Sequence, residues 1–154
     1  MLDSERAKEI ISKIIYITIA TVSRDGLPWN TPAYSSFDEN YNFFWVSSKE
    51  AVHSMNIRNN PNVFLAIYDS TVKEGSGEGV YIKAKAYELK ETAEMEHAAK
   101  CIYGRKNKPV KPIENFMGDS PRRFYKAVPE KVWLNGGEKV NGFYVDFRKE
   151  VELT

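Results

Sequence analysis

The residues best suited to chemistry form one short group, in which a Ser-Ser-Lys-Glu sequence at positions 47–50 is closely followed by a histidine. The Ser-x-x-Glu spacing is that of a capping box, so it predicts a helix that begins here and runs to about Arg58. The first turn of a helix has free N–H groups and a partial positive charge, which suit an anion such as a phosphate. The hydroxyls of Ser47 and Ser48 and the ammonium group of Lys49 would strengthen this site, and His53 would share a helix face with Lys49.

The same residues also fit a purely structural role. In that interpretation Ser47 only caps the helix, Lys49 is solvated and His53 packs on the surface, and the spacing alone favours it. The sequence shows no nucleophile with its base, because Ser47 and His53 are expected two turns apart on one helix, without a carboxylate placed to orient the imidazole. His97 and Cys101 have a four-residue spacing that can hold a metal, but two ligands make a poor site. We therefore predict no metal site and identify no catalytic residue.

Strand-like segments surround this group. Asp25-Gly26 is a typical hairpin-turn pair and introduces a strand over 29–37, and the turn at 38–40 leads into a strand at Tyr41–Val46. Asn59-Asn60-Pro61 ends the predicted helix. The apolar segment Asn62–Tyr68 predicts a strand covered on both faces. Further strands are predicted at 15–20, 80–89, 123–134 and 142–148, with a short helical turn at 120–121 and a turn at 135–137.

Two more helices are predicted from apolar periodicity. The first has a buried stripe and a cap at Asp3 or Ser4, and the second, over 90–103, has an apolar face of Met95, Ala98, Ala99 and Ile102. A basic connection over 104–118 follows, which we interpret as a solvated loop. Six or more strands joined by hairpin turns, with three helices, predict an antiparallel barrel or an α+β sandwich. We predict one domain over residues 1–154.

Composition excludes several classes of function. The chain has 22 Lys and Arg against 21 Asp and Glu, a net charge of +1, which argues against a nucleic-acid or membrane binder. Its single cysteine, Cys101, favours a reducing location. The amino terminus lacks the pattern of a signal peptide, and no apolar segment approaches the length of a membrane span. We expect a cytoplasmic protein.

The order of these segments resembles the pyridoxamine 5′-phosphate oxidase-like family of FMN-binding split β-barrels. The resemblance extends from about Ile15 to Phe147, through Asp25-Gly26-x-Pro28, Asn30-Thr31, Phe-Phe-Trp-Val-Ser-Ser, His53 and the segments 56–61, 79–86 and 128–134. It implies a mainly β (α+β) fold, an antiparallel split β-barrel of six or more strands with peripheral helices. It also implies non-covalent FMN at the interface of a homodimer.

The resemblance also assigns roles to individual residues. Asn30 and Thr31 match the strand that runs along the flavin, and Trp133 matches an aromatic residue that the second subunit places near it. An alternative interpretation is that Trp133 is a barrel-core residue. The residues that match the region around the flavin phosphate are Ser47, Ser48, Lys49 and His53.

Two departures from the family pattern separate this chain from the oxidase itself. The oxidase has an arginine where Thr31 stands and basic residues where Val52 and His53 stand. It also has an arginine and a histidine after its Trp-x-Gly-Gly segment, where this chain has Lys139–Gly142 with neither. Because guanidinium alone binds a phosphate bidentately, a vitamin B6 phosphate would lose those contacts.

Three hypotheses about function remain after the sequence analysis. The first is an FMN-dependent oxidoreductase for an unidentified small molecule and electron donor, not a true pyridoxamine phosphate oxidase. The second is a flavin-binding or redox-sensing module without turnover. The third is a family member that uses deazaflavin or haem.

Overall fold

The computed structural model describes residues 1–154. The helices are α1 Asp3–Lys13, α2 Val52–Asn59 and α3 Thr92–Lys106, with a single 3-10 turn at Ile113–Phe116. The strands are β1 Tyr16–Val22, β2 Pro28–Tyr34, β3 Ser36–Phe37, β4 Phe43–Ser48, β5 Asn62–Tyr68, β6 Gly79–Glu88, β7 Arg122–Val140 and β8 Phe143–Val151.

The eight strands form one antiparallel sheet in the order β2-β1-β5-β6-β7-β4-β3, with β8 beside β7. The end strands of this order, β2 and β3, do not pair with each other, so the sheet is not closed into a complete barrel. The predicted class, a mainly β split barrel with peripheral helices, is confirmed. None of the helices combines the length and apolarity that a bilayer crossing requires.

Two apolar clusters hold the sheet together. The larger lies between α1 and the concave face of the sheet and includes the fully buried Ile19, Leu65 and Ile82. The smaller lies under α3 and includes Phe44 and Phe124. Side chains alternate along β4, so that Phe43 and Trp45 enter the larger cluster whereas Phe44 and Val46 pack in the smaller one. The same alternation places Ser47 and Ser48, the last residues of β4, on different faces of the sheet.

Several local predictions are confirmed. Gly26 has a φ of 78° in the turn between β1 and β2, where a residue without Cβ is favoured. The helix before Pro61 ends at Asn59, and the predicted apolar face of α3 is buried. Helix α1 buries its stripe as predicted, but its cap is Leu2, whose N–H donates to the Glu5 carboxylate at 3.2 Å.

The last two strands differ from the prediction. Asn135-Gly136-Gly137 is not a turn but part of β7, which runs to Val140 and pairs with β8 from Val132 onward. The turn is Asn141-Gly142, with φ of 50° and 83°, the left-handed pair that two-residue hairpins prefer. Gly136 is needed for another reason, because a Cβ there would lie 2.7 Å from Cε2 of Phe147. The short helical turn also lies earlier than predicted, at Ile113–Phe116, because the chain at 120–121 already leads into β7.

Strand β5 is covered on one face only, so the prediction of burial on both faces is wrong for the single chain. Val63, Leu65 and Ile67 point into the core, whereas Phe64 is 40 % and Tyr68 51 % exposed. The same convex side, which we call the outer face, carries residues from five strands, β1, β2, β5, β6 and β7: Tyr16, Asn30, Tyr34, Phe64, Tyr68, Tyr81 and Trp133. An exposed apolar patch of this kind typically marks an interaction surface.

Candidate flavin site

The junction between β4 and α2 differs from the predicted capping box. Ser47 and Ser48 are the last residues of β4, and α2 begins only at Val52, with Ala51 as its cap and no side-chain cap. The reason is tertiary, since β4 continues its pairing with β7 through Ser47 opposite Arg123 and Ser48 opposite Arg122. The predicted common helix face of Lys49 and His53 is therefore wrong, because Lys49 precedes the helix.

Ser47 and His53 nevertheless meet. The Ser47 hydroxyl lies 2.8 Å from Nε2 of His53, which projects from the first turn of α2 and is 7 % exposed. Burial lowers the pKa of His53, so the imidazole is neutral at neutral pH. His53 can therefore offer a hydrogen bond to a phosphate but not a positive charge.

The loop that joins the strand to the helix is braced by hydrogen bonds. The Lys49 N–H donates to the Pro121 carbonyl at 2.8 Å, and the Ser54 hydroxyl donates to the Ser48 carbonyl at 2.7 Å. Arg58 donates to the Lys49 carbonyl and forms an ion pair with Glu88 at 3.7 Å. The Ser48 hydroxyl accepts the N–H of Glu50 at 3.2 Å instead of facing His53.

The two predicted residues of β2 point to opposite sides. Thr31 pairs with Ile19 on the concave face, and its hydroxyl accepts the indole N–H of Trp29 at 3.0 Å. Asn30 pairs with Ala20 and is exposed on the outer face. Because adjacent strand residues alternate, the two side chains cannot contact the same side of a ligand.

Trp133 lies on the outer face and not in the core, so its alternative interpretation as a barrel-core residue is wrong. Its ring stacks on Phe64 with centroids 6.1 Å apart and an interplanar angle of 21°, and it pairs with Tyr81 of β6. The concave face, by contrast, carries Ser47. Within one chain Trp133 and Ser47 therefore lie on different faces of the same sheet.

The groups at the β4–α2 junction fit a single phosphate monoester. The helix offers the N–H groups of its first turn, which have no acceptor within the helix. The Ser47 hydroxyl adds a donor beside the neutral His53, and Lys49, in the loop just before the helix, is the one cation among the predicted residues. These groups are of the type that binds the phosphate of a flavin mononucleotide. They include one cation, so they carry less positive charge than the basic residues that the oxidase has where Val52 and His53 stand here.

A second histidine cluster does not form a catalytic triad. Nε2 of His97 lies 3.1 Å from Oδ2 of Asp38 and 3.9 Å from Sγ of Cys101. Both partners meet the same ring nitrogen, whereas a relay needs one partner at each nitrogen. Burial raises the pKa of the Cys101 thiol, and the charges of Asp38 and Glu39 raise it further, so the thiol is poorly activated. No group of three or more His, Cys, Asp or Glu side chains is placed to hold a metal.

Two basic residues that the sequence left in a solvated loop have defined places. Helix α3 extends to Lys106, and Arg105 donates from Nη2 to carbonyls at the end of α1, Ile11 at 3.1 Å and Ser12 at 2.9 Å. Lys106 turns the other way, towards Arg122 of β7. In the sequence, only a helix that continued past Tyr103 could have indicated these positions. The strand pairing that brings Arg122 close to Lys106 depends on the fold.

Comparison with known proteins identifies the family. The family described as Pyridoxamine 5′-phosphate oxidase matches residues 4–136. A search of curated protein sequences found no match to this chain.

Solved structures share the fold at low sequence identity. A candidate 5-nitroimidazole antibiotic resistance protein from Bacteroides thetaiotaomicron is 15% identical, covers 87% of this chain and 84% of its own, and superposes with a TM-score of 0.71. HutZ, the haem storage protein from Vibrio cholerae, is 19% identical over 86% of this chain and 94% of its own, with a TM-score of 0.61. A candidate pyridoxamine 5′-phosphate oxidase from Listeria innocua is 18% identical over 84% and 94%, also with a TM-score of 0.61. These likenesses show the split-barrel fold, and the family match over most of its length shows that the chain belongs to the pyridoxamine 5′-phosphate oxidase family.

Proposed function

We propose that this chain is a homodimeric FMN-binding flavoprotein that acts as an oxidoreductase on a small molecule. The observation that carries the proposal is the set of donors at the β4–α2 junction, where the N–H groups at the start of α2 and the Ser47 hydroxyl match the family's flavin-phosphate region. Asn30, exposed on the outer face, belongs to the strand that matches the one along the flavin. Because Trp133 also lies on the outer face, a second chain packed there would bring its own Trp133 near this strand.

The phosphate end of the flavin would lie at the start of α2. There the helix N–H groups, the Ser47 hydroxyl and Lys49 suit one monophosphate, which favours FMN over riboflavin or a dinucleotide. Bound FMN supplies the oxidation–reduction chemistry. The chain binds and orients it, and the neutral His53 holds the Ser47 hydroxyl in place.

The dimer would be formed by the outer face. Tyr16 is 62 % exposed there, and the half-exposed Phe64 and Tyr68 continue the patch towards Trp133. Aromatic residues of this kind are enriched in subunit interfaces. The β7–β8 hairpin adds exposed Phe143 and Tyr144 beyond the barrel, within reach of a second subunit.

The substrate would not be a vitamin B6 phosphate. The segment Lys139–Gly142, where the oxidase pattern has its arginine and histidine, forms the exposed end of the β7–β8 hairpin. It offers one lysine, which binds a phosphate as a point charge and without bidentate geometry. The single free Cys101 supports a reducing, cytoplasmic setting for this chemistry.

Haem is the second candidate, because a fold relative is named as a haem storage protein. Histidine is the commonest of the side chains that ligate haem iron, and this chain has two. His53 is hydrogen-bonded to Ser47, and His97 has an exposed side chain but is paired with Asp38. Neither is a free ligand in the structure, so flavin is favoured.

The experiment is a visible absorption spectrum of the protein after incubation with FMN and removal of free ligand, with light scattering on the same sample. The proposal expects flavin bands at one FMN per chain and the mass of a dimer. Addition of NADH or NADPH without oxygen, followed by a screen of electron acceptors, then separates an enzyme from a non-catalytic flavin module. A Soret band from protein incubated with haem, with no retained flavin, would favour the haem candidate instead.

A further inference from the structure

Strand β8 has one edge that pairs with no other strand. It pairs only with β7, on its other side, and every residue from 143 to 150 is exposed. Such an edge offers a row of unpaired N–H and C=O groups to another extended chain. The side chains add apolar surface, since Phe143 is 75 % and Tyr144 65 % exposed. The edge of β8 is therefore a candidate surface for strand pairing.

The strands at the two ends of the sheet are protected against such pairing. Strand β2, at one end, contains Pro28 and Pro32, which have no N–H group to donate. Strand β3, at the other end, is only two residues long, Ser36–Phe37. Strand β8 has nine residues and no proline. Of these three strands, β8 alone offers a long and uninterrupted edge.

The turn of the hairpin determines which backbone groups of β8 face this edge. Val140 and Phe143 flank the two-residue turn and pair with each other, so the N–H and C=O groups of Phe143 point towards β7. Hydrogen bonding alternates along an antiparallel strand, so the even-numbered residues of β8 direct these groups to the free edge. These residues are Tyr144, Asp146, Arg148 and Glu150. A strand added here must place its own outward-facing residues opposite them.

The charges on β8 indicate which strand would fit. Asp146 and Arg148 share one face of the strand, and neither belongs to an ion pair within the chain. The guanidinium group of Arg148 lies 3.5 Å from the ring centre of Tyr81, a cation–π contact that holds the cation in place. If two copies of β8 pair antiparallel about a two-fold axis at Phe147, Asp146 of each copy lies opposite Arg148 of the other. Opposite charges in directly facing positions stabilise a strand pair.

Other two-fold registers of the same strands are less favourable. An axis at Asp146 places this carboxylate opposite its own copy, and an axis at Arg148 places two guanidinium groups opposite each other, which is destabilising. An axis at Val145 avoids both repulsions but leaves the residues after 148 without a partner. The axis at Phe147 pairs all nine residues of β8, with outward-facing residues opposite one another throughout. The sequence of β8 is therefore complementary to itself in one register.

We propose that the free edge of β8 binds the β8 strand of a second copy of this chain, antiparallel and in the register centred on Phe147, so that the sheets of the two copies become continuous. The contact is between strand edges, whereas the proposed flavin dimer uses side chains of the outer face. The proposal therefore goes beyond FMN binding and does not depend on it. One strand from each chain buries less surface than a standard interface, so this pairing forms at high protein concentration and is absent from dilute samples.

The test is sedimentation of the full chain over a series of concentrations, with two charge variants. Asp146→Arg and Arg148→Asp each place like charges opposite one another, so each variant alone should associate about tenfold or more weakly than the unchanged chain. An equimolar mixture of the two variants again has opposite charges in both facing positions and should regain the association. Glu138→Arg makes the same change of charge on β7, away from this edge, and should associate like the unchanged chain.

A second measurement needs no variant. Hydrogen exchange of the unchanged chain should show the N–H groups of Asp146 and Arg148 protected at high concentration and exchanging rapidly at low concentration. The N–H groups of Val145 and Phe147, which face β7, should be protected at both concentrations. Equal exchange of Asp146 and Arg148 at the two concentrations would overturn the proposal, even if a charge variant failed to fold.

The sedimentation results can also overturn it. A mass that does not rise with concentration, or a mixture of the two charge variants that associates no better than either alone, would do so. Association of Asp146→Arg equal to that of Glu138→Arg would have the same meaning. The pairing should at least double the mass of whichever unit is present in dilute solution, the single chain or the outer-face dimer. FMN binding and the mass in dilute solution therefore test the proposed function separately.

Discussion

At the scale of single residues, the ionisation of His53 is linked to folding. Burial lowers its pKa in the folded chain, so the unfolded chain binds the proton more strongly. The unfolding free energy should therefore fall as the pH drops below about 6.5, the ordinary pKa of histidine. His53→Gln cannot take up this proton, and we expect a flatter decline between pH 7.5 and 5 in urea denaturation series.

The comparison needs a reference at high pH. At pH 8 both chains are neutral at this position, so any difference there is the packing effect of the substitution alone. Asp38 titrates in a lower window, because hydrogen bonds from Asn42 and His97 outweigh its burial and lower its pKa below the ordinary 3.8. An identical slope in the two chains above pH 5 would show that His53 is not buried as described.

The sequence placed Ser47 and His53 in the same candidate site but did not predict their contact. Ser47 and His53 are in contact, but through a strand end and a helix start, not through one helix. The capping-box spacing is a local signal, and it was outweighed by the pairing of Ser47 and Ser48 with β7. That pairing is a long-range interaction that no spacing in the segment reveals.

At the scale of elements, Arg105 joins α3 to α1. Its guanidinium donates to the carbonyls of Ile11, Ser12, Ile14 and Ser35 at 2.9–3.1 Å. A lysine cannot span four acceptors, so Arg105→Lys should lower the unfolding free energy by about 2–4 kcal/mol. The same change at Arg24, whose bonds to Asn59 are exposed, is the matched control, with an expected effect within about 0.5 kcal/mol. Equal effects in urea denaturation would contradict the account.

The β7–β8 hairpin depends on glycine at two positions for different reasons. Gly136→Ala would place its Cβ against the Phe147 ring, which should lower stability by about 1–3 kcal/mol. Because the two closest atoms belong to Phe147, and the flexible Lys149 side chain lies farther away at 3.1 Å, Phe147→Ala should remove most of this loss in a double-mutant cycle. Gly142→Ala is the control: no atom lies near its Cβ, but its φ of 83° is strained for alanine, so about 1–2 kcal/mol should be lost whether or not Phe147 is present. The absence of coupling at Gly136 would refute the packing argument.

Most elements could be predicted from the sequence, because apolar periodicity and turn residues are local. The apolar faces of α1 and α3 and the inward Ile82, Ala84 and Ala86 of β6 are buried as predicted. The Gly136-Gly137 pair was misread as a turn, although Asn141-Gly142 five residues later is the stronger hairpin signal. Glycine marks both turns and close approaches, and only the position of Phe147 distinguishes them.

At the scale of the whole molecule, membership of the family does not determine which reaction the protein catalyses. We predict that FMN-loaded protein will not convert pyridoxamine phosphate to pyridoxal phosphate at a useful rate. Two lost charged hydrogen bonds, at roughly 1.5–3 kcal/mol each, correspond to about two to four powers of ten in discrimination. Pyridoxal phosphate formation under oxygen is the assay, and turnover on the order of 1 per second or faster would refute the prediction.

We propose that the β4–α2 junction holds the phosphate of FMN. The decisive measurement is a titration of the ligand-free protein with FMN and with riboflavin, followed by flavin fluorescence. We predict that FMN binds more tightly than riboflavin, and that Lys49→Ala/His53→Ala weakens FMN binding by roughly tenfold or more while riboflavin binding is nearly unchanged. Equal affinity of the two ligands for the unchanged chain, or equal weakening of both in the variant, would contradict the claim.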